Sequence, residues 1–127
     1  MGQIKHLISL IYKTLVLLLL ILYLFPGSLI GWLLYGDLGQ QPEIIKNPIG
    51  TSINHLFYFG LLTLVGLLSN STKKNILFLI SLSVILEILH FVIPNRAFEF
   101  YDLLANTLGF IIGYLFYKIY QITYGKV

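Results

Sequence analysis

The chain has 127 residues, of which 57% are hydrophobic and only 10% are charged, and it contains no cysteine. Ordinary soluble domains have about a quarter charged residues, so this composition excludes a soluble fold, and the missing cysteines exclude disulfides and thiolate metal sites. The net charge of +3 comes from scattered lysines without a basic run, which argues against a nucleic-acid partner. We therefore predict a single integral membrane domain over residues 1–127.

Four apolar segments predict an all-α bundle of four transmembrane helices, because each is near the roughly 20 residues that cross a bilayer. Pro26 either kinks the first helix or ends it, which would leave Leu29–Tyr35 as an interfacial segment. No small-x-small cleavage site follows, so the first segment is predicted to be a retained helix and not a signal peptide. The predicted helices cover about residues 8–34, 53–68, 76–92 and 101–120.

The distribution of charge predicts the orientation of the bundle. In a four-span topology both termini and the polar turn at 69–75 lie on one side, which carries six lysines and no acidic residue. The opposite side has two basic residues, Lys46 and Arg96, together with Asp37, Glu43 and Glu99. Because cytoplasmic loops collect Lys and Arg, both termini are predicted to be cytoplasmic. The six lysines are Lys5, Lys13, Lys73, Lys74, Lys118 and Lys126.

Six polar residues are predicted to converge at the extracytoplasmic ends of the helices. Glu87 and His90 are three residues apart, and Asp102 and Asn106 are four apart, so each pair shares one helix face. Charged groups at bilayer depth are costly and need either a partner or a function. This convergence is the main functional signal that spacing provides. The six residues are His55, Glu87, His90, Arg96, Asp102 and Asn106.

The residue pattern leaves a structural and a functional interpretation open. In the structural one, Glu87, Arg96 and Asp102 form an ion cluster that pins the last helical hairpin, with His55 and His90 as hydrogen-bonding partners. In the functional one, the same groups line a site. A zinc site from the two histidines, Glu87 and Asp102 is chemically conceivable, but no His-Glu-x-x-His spacing supports it. We therefore predict neither a metal nor a cofactor.

Gly109 and Gly113 form a Gly-x-x-x-Gly pair on the fourth predicted helix. Without side chains at these positions, a neighbouring helix can approach closely and gain van der Waals contact. Asn106 precedes Gly109 by three residues and lies on the same stripe. The pattern predicts that this stripe faces the bundle and not lipid.

Two segments of the chain resemble the VanZ-like family: EILHFVIPNR at 87–96 and DLLANTLG at 102–109. The family's signature is an acidic residue, a helix end, a Pro-x-Arg turn and then Asp-x-x-x-Asn-x-x-Gly. His55, followed by Leu-Phe-Tyr-Phe, is similar to the family's His-aromatic helix start. The chain departs from the family where Thr51-Ser52 replaces a common Asp-Lys pair and where His90 replaces a common glutamine.

The resemblance implies a small multi-helix protein of the bacterial cytoplasmic membrane, since members of the family are of this kind. The family is named for a member linked to teicoplanin resistance. We therefore expect an envelope protein that binds an outer-leaflet lipid, a lipid-linked glycan or a lipophilic glycopeptide, with Arg96 as the anion contact. The expected ligand-binding residues are His55, Glu87, Arg96, Asp102 and Asn106.

Two other functions stay open. An enzyme acting on a lipid headgroup would use His55 or His90 as general base, oriented by Glu87 or Asp102. It would also need a nucleophile or a metal, so the binding protein is favoured over the enzyme. An accessory subunit of a larger membrane complex, or a homo-oligomer, would use the leucine-rich faces and the glycine stripe.

Overall fold

The computed structural model describes residues 2–42 and 52–125. Within these ranges the chain forms five α-helices and no strand, which confirms the predicted all-α class. In chain order the helices are α1 (Gly2–Leu24), α2 (Leu29–Tyr35), α3 (Ser52–Ser69), α4 (Lys73–Leu89) and α5 (Phe100–Tyr124).

Three of these helices, α1, α3 and α5, are long and apolar enough to cross a membrane. The fourth long helix, α4, has 17 residues and therefore spans about 25 Å, against a hydrocarbon core of about 30 Å. Large apolar side chains cover the outside of the bundle; Leu17 and Phe116 are both 59% exposed. Such a surface suits a lipid solvent and would be a liability in water.

Pro26 ends the first helix and does not kink it. The helix α1 stops two residues before Pro26, because proline disfavours the helical conformation in the residue that precedes it. Gly27 then adopts a φ of 109°, a conformation that side-chain-bearing residues rarely adopt. Ser28 caps α2 by accepting a hydrogen bond from the Gly31 amide at 2.9 Å. The segment predicted at 8–34 is therefore two helices.

The bounds of the later helices also differ from the predicted ones. Both ends of the helix α4 lie three residues earlier than predicted. It begins earlier because the Thr72 side chain caps it by accepting a hydrogen bond from the Asn75 amide at 3.3 Å. At its other end the His90 amide bonds the Glu87 carbonyl, so the chain tightens into a turn. The helix α5 extends four residues beyond the predicted end, to residue 124, since no glycine or proline occurs between Gly113 and Gly125. The bounds of α3 agree with the prediction to within one residue.

The helices α3 and α5 run parallel and approach backbone to backbone. A Cβ atom added at Gly109 would lie 2.5 Å from the Leu56 carbonyl oxygen. One added at Gly113 would collide with the Gly60 carbonyl oxygen and lie 2.8 Å from the Thr63 Cβ. The glycine stripe of α5 thus faces α3, and no larger residue fits there without moving a backbone.

A polar network ties three helices together at the end of the bundle that carries most of the lysines. The Tyr12 hydroxyl of α1 donates to Asn75 Oδ1 of α4 at 2.6 Å. Asn75 Nδ2 in turn donates to the backbone carbonyls of Gly66 and Asn70, at 3.1 and 2.7 Å. An apolar core around Leu19 lies between the two ends and also contains the buried hydroxyls of Thr63 and Ser83. The buried charged and imidazole groups lie at the opposite end.

Candidate functional site

Four helix ends bring polar side chains together at one end of the bundle. The chain reverses direction from α1 to α3 and again at each later helix, so the carboxyl ends of α1 and α4 meet the amino ends of α3 and α5. Of these side chains, Glu87 and Asn106 are completely buried, and the His55 side chain is 11% exposed. We call this set the buried polar cluster; it consists of Tyr23, Ser52, His55, Glu87, His90, Asp102 and Asn106.

Tyr23 of α1 lies at the centre of the buried polar cluster. Its hydroxyl donates to Asn106 Oδ1 at 2.9 Å and lies 2.5 Å from His55 Nδ1. Its ring stacks on the His90 ring, with centroids 5.3 Å apart. His55 Nδ1 also lies 3.1 Å from Asn106 Oδ1. Depending on the tautomer of the ring, Nδ1 either donates to Asn106 Oδ1 or accepts from the Tyr23 hydroxyl.

Asp102 connects α3 to α5 through both of its carboxylate oxygens. The Ser52 hydroxyl donates to Oδ1 at 2.5 Å, and His55 Nε2 lies 3.5 Å from Oδ2. The Ser52 hydroxyl is thus engaged with a carboxylate and not with a histidine. This order differs from the Ser-His-Asp arrangement that activates a serine nucleophile.

Glu87 is buried with only one of its two carboxylate oxygens bonded. Oε1 accepts a hydrogen bond from the Glu99 amide at 3.0 Å and faces His90 Nδ1 at 3.2 Å. Oε2 has no hydrogen-bond partner within the described ranges. The other ring nitrogen of His90, Nε2, faces the Tyr23 carbonyl at 3.3 Å.

Arg96 binds the carboxyl end of α1. Its Nη2 donates to the Leu22 carbonyl at 2.5 Å and its Nε to the Phe25 carbonyl at 3.3 Å. These carbonyls lack helical donors and carry the negative end of the helix dipole, so they attract a guanidinium. Arg96 forms no ion pair with Glu87 or Asp102, contrary to the ion cluster that the sequence suggests. Partial burial lowers the pKa of Arg96, yet a guanidinium stays charged.

Two cavities flank Arg96, and Gln41 and His55 also line both. The first, which we call the apolar cavity, has a volume of about 140 Å³ and lies between α1, α2 and α3. The second, the polar cavity, has a volume of about 190 Å³, and its lining includes Glu99 and Asp102. Within residues 2–42 and 52–125, no acidic residue lines the apolar cavity. The electrostatic character of the two cavities therefore differs, although they share one cation.

Glu99 adds further negative charge at the polar cavity. Partial burial raises the pKa of its carboxyl group, and the negative charges of Asp102 and Glu87 raise that pKa further. The polar cavity therefore contains two carboxyl groups, those of Glu99 and Asp102, beside the Arg96 guanidinium. Among the described residues, the apolar cavity contains that guanidinium and no carboxyl group.

The structure brings together five of the six predicted polar residues and directs Arg96 elsewhere. Sequence analysis missed Tyr23, although a signal for it was present. Tyr12 and Tyr23 are the two tyrosines of α1 and are eleven residues apart, which is close to three helical turns. They therefore share one face of the leucine-rich helix, and two polar groups on one face indicate the side that packs inward.

An all-helical chain with an apolar exterior and buried ionisable groups at one end of its bundle is a membrane protein. The chain matches the sequence model of the VanZ/LLP1 family over residues 10–121, which is most of its length. It therefore belongs to this family, as residues 87–96 and 102–109 had suggested. No curated protein and no solved structure matches it.

Proposed function

We propose that this protein is a cell-envelope membrane protein whose apolar cavity binds an amphiphile from the outer leaflet. The observation that carries the proposal is the lining of this cavity by the described residues: apolar side chains such as Leu19, Leu29 and Ile30, one cation and no acid. An acyl chain would lie along the apolar side chains, and an anionic headgroup would meet Arg96. Binding sites of this kind combine an apolar wall with a few placed polar groups.

Arg96 is held in a fixed orientation and still has donors to offer. Its bonds to Leu22 and Phe25 use Nε and one hydrogen of Nη2. Nη1 donates to none of the described residues, so the edge formed by Nη1 and Nη2 is available to a phosphate or carboxylate. A planar guanidinium binds such groups with two parallel hydrogen bonds, which an ammonium group cannot do.

The family narrows the class of amphiphile. The VanZ-like family takes its name from a member linked to teicoplanin resistance, and teicoplanin is a lipophilic glycopeptide. We therefore propose a membrane lipid, a lipid-linked glycan or such a glycopeptide as the ligand. We also propose a location in the bacterial cytoplasmic membrane and an effect on glycopeptide susceptibility. His55 lines both cavities, and with Glu87, Asp102 and Asn106 it would shape the polar end of the site.

Replacing Arg96 with lysine is expected to weaken binding of an anionic lipid about tenfold, the equivalent of one charge-assisted hydrogen bond. The full chain would be reconstituted in vesicles of equal parts phosphatidylglycerol and phosphatidylcholine, and retained lipid measured by native mass spectrometry. The parent should retain phosphatidylglycerol preferentially, whereas the Arg96→Lys variant should not. Lys118→Gln, which removes an exposed cation, is the control. Equal retention of both lipids by the parent would refute the anion site.

We further propose that α4 is a fourth span, with both termini cytoplasmic. Hydrogen-bonded turns follow α4 as far as residue 93 and lengthen the segment that would cross the membrane beyond the roughly 25 Å of the helix itself. The lysine asymmetry then predicts that Ser71 is cytoplasmic and Ala97 is extracytoplasmic. Because the chain has no cysteine, Ser71→Cys and Ala97→Cys each provide a single thiol. In intact cells an impermeant thiol reagent should label position 97 and not 71; the reverse pattern would invert the topology.

A further inference from the structure

We propose that His55, Glu87 and Asp102 form a binding site for a divalent metal ion. The three residues come from α3, α4 and α5, and each offers one ligand atom that lies within 4.8 Å of the other two. The site is buried, unlike the acidic patches that are common on protein surfaces. This inference does not depend on the proposed amphiphile, because the ligand atoms and their geometry belong to the chain alone.

His55 and Asp102 face each other across a gap that suits a metal ion. His55 Nε2 lies 3.5 Å from Asp102 Oδ2, which is longer than a usual hydrogen bond. In the tautomer that carries its hydrogen on Nδ1, 3.1 Å from Asn106 Oδ1, Nε2 presents a lone pair to that gap. Two ligands bound to zinc in a tetrahedron at about 2.0–2.1 Å are roughly 3.4 Å apart, close to the observed distance.

Glu87 provides an independent observation. Its side chain is completely buried, and Oε2 has no partner within the described part of the chain. A buried carboxylate oxygen without a partner is costly, and a bound cation would supply the missing interaction. His90 does not fill this role, because its Nδ1 faces Oε1 and not Oε2. Arg96 does not fill it either, because its guanidinium binds the end of α1.

The ligand set and its surroundings suit a metal of intermediate softness. One imidazole nitrogen and two carboxylate oxygens are typical ligands of zinc, and manganese and ferrous iron also bind such sets. Three protein ligands leave a coordination position open, and the polar cavity, lined by His55 and Asp102, gives access to it. Each of the three residues also makes a polar contact through an atom that is not the proposed ligand atom, and contacts of this kind orient the ligands of known metal sites. The supporting groups are Asn106 for His55, Ser52 for Asp102, and the Glu99 amide for Glu87.

Zinc titration of the full chain in detergent micelles tests the proposal. The protein would be stripped with EDTA, dialysed and titrated with Zn²⁺ by isothermal calorimetry, with bound metal counted by mass spectrometry. We expect one Zn²⁺ per chain. Each of three ligand variants should bind zinc at least about tenfold more weakly than the parent: Glu87→Gln, Asp102→Asn and His55→Gln. Replacing a residue that only hydrogen-bonds a metal ligand already lowers metal affinity about tenfold or more. The matched controls His6→Gln and Asp37→Asn make the same chemical changes at exposed positions and should bind like the parent.

Three results would overturn the metal site. If the parent shows no saturable Zn²⁺ binding, the three residues do not form a metal site. If all three ligand variants bind like the parent, the ion lies elsewhere. Because a variant could fail to fold, the parent would also be loaded with Co²⁺, whose visible absorption reports nitrogen and oxygen ligands directly; a spectrum identical to aqueous Co²⁺ would count against the site. Zinc binding without retention of phosphatidylglycerol would refute only the proposed amphiphile.

Discussion

Replacing Gly113 with leucine is expected to abolish the packing of α3 against α5. The added Cβ alone would collide with the Gly60 carbonyl oxygen and lie 2.8 Å from the Thr63 Cβ. Ordinary overpacking costs about 1–3 kcal/mol, because side chains rotate away from the intruding atoms. Here the obstacle is backbone, which can only move with its helix. The destabilisation should therefore exceed that range and separate the two helices on which Asp102 and His55 lie.

Thermal unfolding in detergent micelles, followed by circular dichroism, measures this effect. Gly113→Ala should fall between the parent and Gly113→Leu, because it introduces the Cβ alone. Gly2→Leu is the matched control, since nothing lies within 4 Å of a Cβ added there. A Gly113→Leu protein that melts at the temperature of the parent would show that this glycine faces lipid.

Replacing Arg96 with alanine is expected to release the carboxyl end of α1 from the loop between α4 and α5. The substitution removes two hydrogen bonds from a charged donor to the carbonyls of Leu22 and Phe25. Hydrogen bonds to charged groups contribute about 1.5–3 kcal/mol each, and membrane interiors can reduce that contribution to about 0.6 kcal/mol. We therefore expect a loss of about 1–3 kcal/mol, concentrated at the end of α1.

Hydrogen exchange measured by mass spectrometry would locate this loss. Backbone amides between residues 22 and 28 should exchange faster in Arg96→Ala than in the parent, with Arg96→Lys intermediate because an ammonium can still bind one carbonyl. Lys118→Ala removes an exposed cation from α5 and should leave this region unchanged. Adding Asp102→Asn to Arg96→Ala tests the ion cluster suggested by the sequence. If the second substitution restored slow exchange, Arg96 would be acting by balancing that carboxylate.

Much of the architecture follows from local sequence signals. The apolar runs predict the long helices because crossing a bilayer requires about 20 apolar residues, and Pro26 and Thr72 mark helix boundaries because of their backbone and capping chemistry. The segments at 87–96 and 102–109 indicate the family. Helical spacing also predicts that Glu87 and Asp102 approach each other, since both flank one short loop.

The sequence by itself therefore determined the fold class, the family and the end of the bundle at which polar groups gather. Only the tertiary structure decided which groups pair. Tyr23 contacts His55 and Asn106, which are 32 and 83 residues away in the sequence. Arg96 binds carbonyls at the end of α1 that are more than 70 residues away. Helical periodicity places a residue on a face but does not give the rotation of that helix against its neighbours. That rotation is set by side-chain packing and by the close approach at Gly109 and Gly113, which no local pattern encodes.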